Sequence, residues 1–62
     1  MSRLFRLETA DGEPADPPSF LTVAPLWRPG DMIPLGRRTL RVIGVRYVED
    51  EPTVLIVEDM AE

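Results

Sequence analysis

The sequence predicts an all-β fold: a small antiparallel five-stranded barrel, SH3-like, with a bent strand near Gly44. Three observations carry this expectation. Seven prolines are spread along 62 residues, and no proline-free window holds apolar residues at a sustained period of 3.6, so helices have little room to form. Short runs rich in β-branched residues are separated by turn residues. One long run, Thr39 to Val48, alternates apolar and polar positions but slips phase once in its middle, as a strand does at a bulge. The absence of a helix also disfavours an OB-fold.

The elements follow in order. Arg3 to Thr9 reads as a first strand, with Phe5 and Leu7 on one face and Leu4, Arg6 and Glu8 on the other. Asp11-Gly12 signals a turn. Residues 13–18 hold Pro14, Pro17 and Pro18 beside two acids and read as an extended loop. Ser19 to Ala24 is a second strand, and Pro25 limits its ladder bonding. Pro29-Gly30 suits the two central positions of a turn. Met32 to Leu35 is a short third strand. Pro34 cannot donate a ladder bond, so this strand belongs at an edge or a bulge. Gly36-Arg37-Arg38 is a tight connection to the long fourth strand. There Leu40 and Val42 alternate with Arg41. If Ile43-Gly44 counts as one bulged position, Val45 and Tyr47 rejoin the same face and Arg46 joins Arg41 outside. After a turn at Glu49 to Pro52, Thr53 to Glu58 is a fifth strand with four consecutive apolar residues, as expected where both faces are covered. Met60 to Glu62 are expected to fray. The predicted core is Phe5, Leu7, Phe20, Leu40, Val42, Val45, Tyr47, Val54 and Ile56.

A chain this short is one domain, burying about 60% of its unfolded surface, so its stability rests on a small core or on association. Without His or Cys it has no disulfide, no ordinary zinc site and few nucleophiles or near-neutral proton carriers. It lacks Lys, Asn and Gln as well, and all seven basic residues are Arg, the expected signature of a GC-rich bacterial genome or of selection for guanidinium chemistry. No apolar run reaches the roughly 20 residues of a membrane span, and no signal-peptide pattern stands at the start, so a cytoplasmic protein is expected.

The net charge of −4 hides a segregation: residues 1–27 sum to −2, residues 28–46 to +4 and residues 47–62 to −6. Cross-strand neutralisation is the simpler reading. A positive patch for an anionic partner is the alternative.

Trp27-Arg28-Pro29-Gly30-Asp31-Met32-Ile33-Pro34-Leu35-Gly36, then Leu40-Arg41-Val42-Ile43, then Val54-Leu55-Ile56-Val57-Glu58 form a W-x-x-GD-x-I … LRV pattern. Over its second half the chain thereby resembles short uncharacterised proteins of high-GC bacteria. The resemblance implies no activity and transfers no functional residues.

The candidate binding residues are Trp27, Arg28, Arg37, Arg38, Arg41 and Arg46. Trp27 reads as core or rim packing, or as an exposed anchor beside Arg28. Asp31 reads as a cap of its turn. The arginines could line one side of a bent hairpin and hold an anion or nucleic acid, but overall acidity and few stacking aromatics oppose this. Glu49, Asp50, Glu51, Glu58 and Asp59 lack the spacing of a calcium loop. Pro14 and Pro17 make a P-x-x-P spacing that stiffens a loop rather than docking. No residue set supports catalysis, and no cofactor or metal is expected. The expected function is a non-catalytic protein-interaction module or assembly subunit, bound to a protein partner or to itself. The alternative is a small anion- or nucleic-acid-binding barrel that uses the Arg-rich hairpin.

Overall fold

The computed structural model describes residues 2–23 and 26–60. Five strands form one sheet: β1 (Arg3–Glu8), β2 (Pro14–Thr22), β3 (Met32–Leu35), β4 (Arg38–Arg46) and β5 (Val54–Asp59). Their spatial order is β2-β1-β5-β4-β3, and the sheet curls into a half-barrel. Three neighbouring pairs are antiparallel. The fourth, β1 with β5, is parallel, with Arg6 beside Val54 and Leu7 beside Leu55. The all-antiparallel expectation is therefore corrected. Three consecutive antiparallel strands (β3-β4-β5) meet a separate hairpin (β1-β2), and the two units approach with β1 and β5 running the same way.

The turns take the geometry that their residues favour. Gly12 has φ 86° and donates its N–H to Thr9 O at 3.0 Å, giving a three-residue hairpin loop with glycine in the left-handed position. Arg28 to Asp31 is a type II turn. Pro29 and Gly30 are central, Gly30 has φ 101°, and the Asp31 N–H donates to Arg28 O at 3.0 Å. The Asp31 carboxylate accepts from the Arg28 backbone N–H at 2.9 Å, the capping role expected of it.

β4 bends where the phase slip predicts. Val42 faces Val57 and Gly44 faces Ile56, so Ile43 is the additional residue of a bulge. Both edge strands carry prolines: Pro34 in β3, as expected, and Pro14, Pro17 and Pro18 in β2. The loop expected over residues 13–18 is instead the first part of β2. It pairs irregularly, because Arg6 faces Ser19 while Glu8 faces Pro14, so β2 bows outward between these points. Strand two was expected to run through Ala24, but β2 ends at Thr22; Ala24 and Pro25 lie outside the described residues, as do 61 and 62 of the expected frayed tail. Met60 is held, its N–H donating to Thr39 O at 2.9 Å.

The concave face holds the core: Phe5, Leu7, Ile33, Leu40, Val42, Leu55 and Val57. Phe20 and Val45 pack against it partly buried. Two core expectations are corrected. Tyr47 is 74% exposed, because β4 ends at Arg46 and the chain leaves the sheet before Tyr47 can turn inward. On β5 the inward face is Leu55 and Val57, set by pairing with Leu7, Val45 and Val42. Val54 and Ile56 point to the convex face. Val54 is buried there all the same, between Arg6 and Arg46 in the ladders.

β2 and β3 are opposite edges of the sheet, and residues 26–31, which lead into β3, form a strap that packs Trp27 against the core on the concave face. Trp27 lies on that strap, half-buried, and meets Phe20 and Phe5 edge-on with ring centroids 5.6 and 6.5 Å away. Phe5 and Phe20 are themselves cross-strand neighbours, 5.9 Å apart. Such aromatic contacts add about 0.5–1.5 kcal/mol beyond the area that they bury.

Candidate functional site

The charge segregation of the sequence is largely resolved by register. Arg41 lies opposite Glu58 in the β4-β5 ladder and forms an ion pair with it. Arg46 reaches across β5 to Glu8 on β1, with Nη2 3.1 Å from both carboxylate oxygens. Arg38 pairs with Asp59 on β5 and, across the concave face, with Asp16 on β2 at 3.3 Å. That last contact bridges strands three places apart in the sheet and draws the two rims of the half-barrel together. The Arg38 pKa is raised, by its hydrogen bond to Asp59 first and the charge of Asp59 second. The raised value keeps the Arg38 guanidinium charged as pH rises beyond the ordinary arginine range.

Three of the six candidate binding residues, Arg38, Arg41 and Arg46, thus already hold acids of the same chain. The remaining three behave differently. Trp27 is built into the aromatic cluster, with part of its surface still open. Its indole N–H is buried without an acceptor among the described residues. Arg28 and Arg37 are exposed, and neither has an acidic partner among the described residues. They flank β3 in the chain, Arg28 at the turn before it and Arg37 in the Gly36-Arg37 turn after it. Between them, Met32 is 48% exposed beside Pro34.

No group of His, Cys, Asp or Glu among the described residues is arranged to hold a metal ion. Among the same residues no helix is long and apolar enough to cross a membrane.

A second feature was not singled out by the sequence. On the convex face a groove of about 380 Å³ lies between β1, the outward bow of β2 and Pro52. Leu4, Pro14, Pro18 and Pro52 form its apolar walls, and Arg6, Glu8 and Ser19 supply its polar groups. Arg6 and Ser19 are direct cross-strand neighbours. The bow of β2 creates this groove, and no sequence signal marks a bow in a segment that reads as a loop.

The chain matches no protein-family model, no curated protein and no solved structure.

Proposed function

We propose that this protein is a small, non-catalytic, cytoplasmic protein-interaction module, a subunit that contributes a contact surface to a larger assembly. The β3 edge carries the reading: two arginines whose guanidinium groups hold no acid among the described residues bracket an exposed methionine on a strand whose proline blunts strand addition. Contacts there run through side chains. Arg28 and Arg37 can each fork onto a partner carboxylate, Met32 supplies an adaptable apolar contact, and Trp27 stiffens the adjoining strap. The curled sheet and bent β4 fit the SH3-like expectation, and the parallel β1-β5 pair departs from it.

Nucleic-acid binding through Arg38, Arg41 and Arg46 is the weaker reading, because each would first have to leave an acid that it already holds. The test is affinity capture from the native host, comparing the wild-type chain with an Arg28→Ala/Arg37→Ala double variant and with Arg41→Ala. The module reading expects the same partner with wild type and Arg41→Ala, and its loss with the double variant. Tight, salt-sensitive binding of single-stranded RNA or DNA, abolished by Arg41→Ala, would overturn it.

A further inference from the structure

We infer that the convex-face groove between β1, β2 and Pro52 binds a small amphipathic carboxylate, an apolar body ending in one carboxylate group. This site is separate from the β3 edge and does not depend on the reading above.

The charges in the groove favour an anion. Glu8 is engaged: both its oxygens lie 3.1 Å from Arg46, and its side chain is only 16% exposed. Arg6 is not engaged in the same way. Its one acidic contact among the described residues, Glu51, is 3.6 Å away, inside ion-pair range but beyond hydrogen-bond length, and both side chains are about half exposed. The Arg6 guanidinium therefore keeps its fork of N–H donors available. Ser19 faces it directly across the β1-β2 ladder on the same face, and its hydroxyl has no partner among the described residues. Two donors side by side, with no free acceptor between them, suit a carboxylate.

The walls favour an apolar body. Leu4 is 48% exposed on this face, and three prolines stiffen the rim, so little freedom is lost on binding. A volume of about 380 Å³ falls at the small end of ligand-sized cavities. The bow of β2 and Pro52 bound the groove, which fits a compact ligand better than an extended peptide. The net charge of −4 opposes any anion at long range, so the apolar body supplies much of the attraction and Arg6 with Ser19 supplies the selection.

The probe is octanoate, titrated into the ¹⁵N-labelled protein with amide shifts as the readout and octanol as the neutral control. Saturable shifts centred on Leu4, Arg6 and Ser19 are expected, with octanol binding at least about tenfold more weakly. Arg6→Ala should weaken octanoate by about tenfold or more while the spectrum elsewhere stays folded, since an exposed pair contributes little to stability. Glu51→Gln, on an exposed turn, should tighten octanoate by freeing Arg6. Octanol binding as well as octanoate, non-saturating shifts, or an affinity unchanged in both variants would overturn the proposal. So would binding confined to a leucine-terminated peptide in its free-acid form with none of octanoate, which would assign the groove to a chain end instead.

Discussion

Asp50 is the one non-glycine residue with a left-handed backbone among those described, at φ 65° in the turn that joins β4 to β5. Aspartate tolerates this region better than most residues, and glycine better still. Asp50→Gly should therefore raise stability by about 0.5 kcal/mol, net of the entropy that glycine adds to the unfolded chain, in a urea melt. Burial makes a sharper contrast on β5. Leu55 is fully buried while Ile56 is only partly so, and Leu55→Ala should cost about 2–4 kcal/mol, enough to unfold so small a domain. Ile56→Ala should cost visibly less, and equal melting losses would show that the inward face has been assigned wrongly. The sequence could not make that choice. Four consecutive apolar residues, Val54 to Val57, carry no alternation, and only the partners Leu7, Val45 and Val42 decide which two point inward.

Elements were legible where their own residues dictate them. Turns with a glycine at a left-handed position, the Asp31 cap and the β4 bulge depend on neighbours a few residues away, and all were read from the sequence. β2 was not, because proline is compatible with a strand only at an edge, and whether a segment is an edge is settled by the rest of the chain. The bulge has a further lesson. A Cβ built on Gly44 would meet Ile56 Cδ1 at 3.7 Å, ordinary contact, and Gly44 has no positive φ. The bend comes from the additional residue Ile43, not from glycine's freedom. Gly44→Ala should leave the fold intact and gain up to about 0.5–1 kcal/mol, whereas deletion of Ile43 should move Val42 or Val45 off the core face and abolish cooperative unfolding. A Gly44→Ala variant that unfolds would show that the bend needs glycine.

At the scale of the molecule, charge and shape are joined by long-range pairings. Arg46 with Glu8 and Arg38 with Asp16 link strands that are not adjacent in the sheet, so two of the six candidate residues are committed to internal pairs that no local pattern announces. The sequence showed the segregated charges but not the register that neutralises them. The strap is the other global device. Trp27→Ala should cost about 2 kcal/mol and loosen residues 26–31 in hydrogen exchange, while Trp27→Phe should keep most of the stability because it retains a ring against Phe5 and Phe20. Equal losses in the two variants would mean that the ring contacts do not anchor the strap.

The parallel pairing of β1 with β5 sets the order in which the molecule can assemble. β3, β4 and β5 follow one another through short turns, so their contacts close small loops, and β1 with β2 forms a second local unit. The ladder that unites them joins Arg6 to Val54, close to the two ends of the chain, and must wait for the largest loop to close. Substitutions within β4, such as Val42→Ala, should therefore slow refolding. Those at the seam, such as Leu7→Ala, should chiefly speed unfolding, and the two arms of a chevron plot separate these cases. The seam is then the last contact made and the first released, and transient opening of this protein would part the hairpin from the three-stranded unit before either loses its own turns.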